Sequence, residues 1–74
     1  MIAYILIVTT ELDEHHVYNA LSKTVEVDEV WPLFGEWDVL VKIGAETVED
    51  LGQIISEKIT PVKGVLTVKT LIGY

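Results

Sequence analysis

Residues 2–9 read Ile-Ala-Tyr-Ile-Leu-Ile-Val-Thr, an apolar run rich in β-branched side chains that suits a central strand covered on both faces. The period then changes. Leu12-Asp13-Glu14 opens a helix, with Asp13 as its cap and Leu12 stapling onto Val17. Val17, Ala20, Leu21 and Thr24 recur at helical spacing and place one stripe against a sheet. Residues 27–34 return to strand character, but Pro32 among them cannot donate to a ladder, which makes this an edge strand or a bulge. Gly35-Glu36-Trp37 supplies a tight turn, and from Asp38 to Ile43 the chain alternates Val39, Val41 and Ile43 against Leu40 and Lys42.

A second helix begins at Thr47, with Asp50 three residues on in a capping-box arrangement. Its buried stripe is Val48, Leu51, Ile55 and Ile59, with Gly52 permitting close approach to the sheet and Pro61 ending it. Lys63-Gly64 turns the chain into a last strand over residues 65–72, with Leu66, Val68, Thr70 and Ile72 on one face and Val65, Thr67, Lys69 and Leu71 on the other.

The predicted order is β-α-β-β-α-β, two similar halves meeting near Trp37, which is the ferredoxin-like arrangement of the α+β class. Right-handed crossovers put the first and third strands in the middle of a four-stranded antiparallel sheet and the Pro32 strand at an edge, where a proline is tolerated. Two helices then cover one face only. The other face carries large apolar side chains, Tyr4, Leu6 and Val8 or Ile5 and Ile7, with Leu40 or Val39 and Val41 beside them, and a patch of that size marks an interface. The expectation is a dimer that packs sheet against sheet.

Size and charge sharpen this. Seventy-four residues make one domain, residues 1–74, and a chain so short buries only about 60 % of its unfolded surface. Without cysteine it has no disulfide to compensate. Self-association is the remedy that remains. Twelve carboxylates against five scattered lysines, for a net charge of -7, argue against direct contact with nucleic acid or an anionic membrane. The apolar opening is too short to span a bilayer and lacks the basic leader of a signal peptide, so a soluble cytoplasmic protein is expected.

Candidate chemistry is sparse. His15 and His16 are adjacent at a helix start, whereas chelation from a helix needs a spacing of three or four. Glu36 and Asp38 flank Trp37 in the turn, but a sheet this small has no cleft wall to hold a sugar between two carboxylates. The turn reads either as a hairpin whose acids are solvated and whose Trp37 packs at a subunit contact, or as a recognition loop, since exposed loops on a rigid sheet concentrate binding. No catalytic residue, metal ligand or cofactor site is expected.

The stretch Val-Asp-Glu-Val-Trp-Pro-Leu-Phe-Gly-Glu-Trp-Asp-Val-Leu-Val-Lys-Ile at 27–43, with Gly64-Val65 and Thr70-Leu71-Ile72 later, resembles the effector-binding (RAM) domain of the Lrp/AsnC transcription regulators. Its most specific element is a glycine, any residue, an aromatic, an aspartate, then alternating aliphatics and a basic residue, met by Gly35, Trp37, Asp38 and Lys42. The resemblance implies a dimer formed through the sheets, dimers joined into a higher oligomer, typically an octamer, and a site between dimers for a free amino acid. By the same analogy Gly35, Glu36, Trp37 and Asp38 line that site, glycine letting backbone amides reach the ligand carboxylate and Asp38 or Glu36 meeting its ammonium group. The family's last strand often carries two threonines spaced by one residue; here Val68 takes the first place and Thr70 the second. Trp37 stands where tyrosine is common. Full-length members add a helix-turn-helix DNA-binding domain that this sequence lacks, so it resembles a stand-alone module acting with full-length Lrp/AsnC regulators.

Three functional classes follow. The first is an amino-acid-sensing, non-enzymatic oligomer in transcriptional regulation. The second is a small enzyme of the dimeric α/β-barrel type, which needs inward polar groups that these aliphatic strands do not supply. The third is a ligand-free oligomeric scaffold.

Overall fold

A computed structural model describes residues 1–73, which leaves Tyr74, the end of the expected domain, outside the described residues. The elements run β1 (Ile2–Thr9), a 3₁₀ turn (Glu11–Asp13), α1 (Glu14–Ser22), β2 (Val27–Pro32), β3 (Val39–Gly44), α2 (Val48–Ile54), a π-helical turn (Ile55–Ile59) and β4 (Val65–Gly73). One antiparallel sheet in the order β2-β3-β1-β4 places the first and third strands centrally and the proline strand at an edge. The α+β ferredoxin-like fold read from the sequence is the fold observed.

Alternation decides which face is buried. Ala3, Ile5 and Ile7 of β1 pair with Ile43, Val41 and Val39 of β3, and all six are buried against the helices. Val17 and Leu21 of α1, with Leu51 and Ile59, close the core from above. Each such aliphatic side chain contributes about 1.5–3 kcal/mol by leaving water. The odd-numbered positions of both central strands are therefore the helix side, and the even-numbered ones face the open side. β1 was expected to be covered on both faces. Within one chain it is covered on one, and Tyr4 and Ile2 stay about 40 % exposed.

The helix ends show where local rules held and where they yielded. Thr47 caps α2 as expected, its hydroxyl accepting the Asp50 N–H at 3.0 Å. Asp13 precedes α1 but caps nothing, because its carboxylate accepts the Thr10 hydroxyl at 2.6 Å. Leu12 lies in the 3₁₀ turn, 97 % exposed, and makes no staple onto Val17. Val48 is likewise exposed. Gly52 does not serve close approach: a Cβ there would meet nothing within 4 Å. The glycine that does is Gly64, with φ +100° and the Asp13 and Val17 side chains packed against it.

The π turn has a geometric reason. Eight α-helical residues at about 100° each would swing Ile59 roughly 80° away from the Leu51 face. The slower rotation of a π turn keeps both buried, and it is closed by the Thr60 N–H donating to the Ile55 carbonyl at 2.9 Å.

β2 ends at Pro32, short of the predicted residue 34, because the chain leaves the sheet to form the turn. In β4 a bulge opposite Val8 and Thr9 turns Val65 toward the core, whereas Val68, Thr70 and Ile72 lie opposite Ile7, Ile5 and Ala3 on the helix side. Among the described residues no helix is long and apolar enough to cross a membrane.

Candidate functional site

The turn between β2 and β3 springs from the Pro32–Val39 pair and is closed by the Leu33 N–H donating to the Asp38 carbonyl at 2.8 Å. Gly35 sits at φ +127°, a conformation glycine adopts without the penalty of a Cβ. Phe34 projects fully into solvent and Glu36 is exposed, while Trp37 and Asp38 are half-buried at the turn's root.

Asp38 ties the turn to β1. Its N–H donates to the Ile7 carbonyl at 2.9 Å, and its Oδ2 accepts the Thr9 N–H at 2.8 Å and, more distantly, the Thr9 hydroxyl at 3.5 Å. Thr9 itself is the buried polar residue among the described residues. The carboxylate that sequence reasoning offers to a ligand ammonium is thus also a structural acceptor, with Oδ1 left for other use. The next residue, Thr10, donates its N–H to the Gly64 carbonyl at 2.9 Å and its hydroxyl to Asp13. The end of β1 therefore holds the 33–38 turn, the entry to α1 and the entry to β4 in one place.

Val68 and Thr70 lie on the far side of β1. Ile7 links them to the turn, bonded to Asp38 along one edge and paired with Val68 along the other. Val68 packs on the core, and Thr70 is exposed opposite Ile5. Two strand spacings separate the turn from β4, about 10 Å, and Thr70 stands roughly another 7 Å along the strand from Val68. Gly35, Glu36, Trp37 and Asp38 are gathered by the turn; Val68 and Thr70 do not join them within one chain.

The open face carries Tyr4, Leu6, Val8, Leu40, Leu71 and, on the edge strand, a half-exposed Trp31. Lys42 crosses this face to Glu29 at 3.2 Å, and the Trp31 indole N–H donates to the other Glu29 oxygen at 3.2 Å. The hydrogen bond from Lys42 holds Glu29 below the usual carboxylate range, and the bond to Glu29 raises Lys42. His15 and His16 are exposed on the first turn of α1, and among the described residues no group of three or more histidine or acidic side chains converges on a metal position.

Sequence reasoning passed over a groove of about 400 Å³ beside the turn. It is lined by Leu12 and Tyr18 from the α1 side and by Pro32 and Val39 from the strands, together with Glu11, Glu14 and His15. The sign of it was available: Glu14 and Tyr18 are four residues apart on one helix face, and Leu12 lies between two acids.

The sheet order, the bare face and the clamped glycine turn define a ferredoxin-like domain. The family model described as the Lrp/AsnC ligand binding domain matches residues 2–73, and the chain belongs to that family. It is 35 % identical over 63 residues to an uncharacterized HTH-type transcriptional regulator of Pyrococcus furiosus, covering 85 % of this chain and 42 % of that protein. The chain thus spans about two fifths of the length of the curated relatives it matches. Among solved structures it resembles FFRP-DM1, at 36 % identity and TM-score 0.92, over 99 % of this chain and 97 % of that one. At 18 % identity and TM-score 0.83 the same fold recurs in a Neisseria meningitidis transcriptional regulator solved as an L-Met complex, over 95 % of this chain and 47 % of that one.

Proposed function

We propose that the domain senses a free amino acid and signals through assembly: copies pair sheet to sheet, pairs join into a higher oligomer such as an octamer, and full-length Lrp/AsnC regulators are the partners that respond. The observation that carries this reading is the open face, where an exposed Tyr4 and half-buried Leu6, Val8 and Leu40 of the central strands adjoin an exposed Trp31 on the edge strand. The L-Met complex of the Neisseria relative supports an amino acid as the effector class.

On this reading Gly35 brings backbone amides to the ligand carboxylate, Glu36 meets its ammonium group, Trp37 narrows the pocket and Asp38 holds the turn in place. Because β1 separates Thr70 from the turn in one chain, a site using both takes Val68 and Thr70 from another copy. A ligand bound between copies favours the assembled state by its differential affinity, which couples binding to oligomerisation. The domain works as a cytoplasmic, non-enzymatic module without touching nucleic acid or membrane itself.

A thermal-shift panel of the twenty amino acids, run beside a solution mass measurement, tests it. At about 100 times its dissociation constant an effector stabilises by ~2.7 kcal/mol. Stabilisation by one or a few amino acids is the expected result. An assembled protein that responds to none of them would leave the scaffold reading in its place.

A further inference from the structure

We propose that the groove between the entry to α1 and the base of the 33–38 turn is a ligand site of its own, built for a small apolar molecule that carries a primary ammonium group and no carboxylate. Its volume of about 400 Å³ falls in the range of small-molecule sites, which are mostly apolar with a few placed polar groups. Leu12, Tyr18, Pro32 and Val39 supply the apolar walls. Leu12 is almost wholly in water in the free chain, so covering it is a gain available only to an occupant.

Charge selects the occupant. Glu11 and Glu14 border the groove, and among the described residues neither side chain has a hydrogen-bond or ion-pair partner. Asp13, between them in sequence, is engaged by Thr10. None of the five lysines reaches this groove, whose other polar groups are the His15 ring and the Tyr18 hydroxyl. The groove beside α2 differs in its walls: Glu26, Glu46, Asp50, Gln53, Glu57 and Lys58 leave only Ala45 and Ile54 as apolar lining, so it offers charge without an apolar floor. Beside α1 two carboxylates over an apolar floor await a cation from outside, and a ligand carboxylate would be repelled by both. The site is therefore distinct in chemistry from the amino-acid reading of the turn and does not rest on it.

Three molecules with one aromatic body separate the possibilities: 2-phenylethylamine, phenylalanine and 3-phenylpropionate, followed by amide NMR shifts on the full chain, with ethylamine as a control for charge alone. The expected result is that 2-phenylethylamine at millimolar concentration perturbs the amides of Glu11 to Tyr18 and of Val39. Phenylpropionate and ethylamine should leave them in place. In Glu11→Gln/Glu14→Gln the affinity for the amine should fall about fivefold, as two exposed ion pairs are lost. Leu12→Ala should weaken it without unfolding an exposed position. Equal binding of phenylpropionate, or perturbation that follows ethylamine as strongly, would overturn the site. So would shifts that grow with chain concentration and ignore the amine, which would assign the groove to Phe34 of a second copy. Phenylalanine moving only the 35–38 amides, with no response of the groove to the amine, would overturn this proposal and leave the amino-acid sensor standing.

Discussion

Asp38 reaches across 29 positions of sequence to accept the backbone N–H of Thr9 at 2.8 Å, and by that contact the β2–β3 turn is fixed to the end of the central strand. Removing the carboxylate leaves the N–H of the buried Thr9 without its acceptor. Asp38→Ala should therefore cost about 1–3 kcal/mol in chemical denaturation, whereas Asp38→Asn, which keeps an acceptor oxygen, should cost about 1 kcal/mol or less. Equal, negligible losses in both would show that the turn is held by its backbone bonds alone. For effector binding the same pair separates two roles. If Asp38 acts by holding the turn, Asn retains binding and Ala loses it; if it meets the ammonium group, both lose it.

Two glycines predict opposite outcomes. Gly64 has φ +100°, and a Cβ there would run into the Asp13 side chain, so Gly64→Ala should destabilise by about 2–4 kcal/mol through strain and overcrowding together. Gly52 is exposed within α2, with open space where its Cβ would stand, and Gly52→Ala should stabilise by about 0.5–1 kcal/mol. Denaturant midpoints of the two variants against the parent check both signs.

The ion pair on the open face predicts a titration. Bonded to Lys42, Glu29 has its pKa lowered on folding, so its contribution to stability is present above the unfolded-state value and disappears as pH falls through the lowered one. Lys42 is shifted upward, chiefly by the bond to Glu29, so its contribution is complete below the unfolded value and disappears as pH rises through the raised one. Carbon-detected NMR should find Glu29 titrating below the ordinary carboxylate range, and Lys42→Met should return it upward. A Glu29 midpoint unmoved by that substitution would mean that the pair does not form in solution.

Much of the fold could be read before the structure was seen, for identifiable reasons. The alternation of Val39, Val41 and Ile43, the Thr47 cap and the edge placement of Pro32 are local signals that the tertiary structure reinforces. What stayed hidden depends on contacts distant in sequence. Leu12 carries the signature of a staple, yet the demand of Thr10 on Asp13 makes a 3₁₀ turn that lifts it into water. Gly52 and Gly64 look alike in sequence, and only the neighbour packed against Gly64 separates them. The motif aspartate was legible as a residue of consequence, but its bond to Thr9 was not, since nothing near Asp38 in the chain announces a partner in β1. The groove escaped because its lining joins the entry to α1 with Pro32 and Val39 of two strands distant in sequence.

Core residues that share a face with the helices should behave differently from their neighbours on the open side. Ile7→Ala empties a fully buried position and should cost about 2–5 kcal/mol of chain stability. Leu40→Ala, on the half-buried open face, should cost the isolated fold far less and weaken assembly instead. Unfolding curves taken across a range of protein concentrations distinguish the two, since only an assembly defect depends on concentration.

The most direct measurement is sedimentation equilibrium of the parent chain beside Leu6→Glu, which sets a charge in the middle of the open face. The parent should sediment at no less than twice the mass of one chain at micromolar concentration, and the variant should remain folded at the mass of one. A parent that sediments as a single folded chain would contradict the account, because its apolar face would then be at rest in water without a partner.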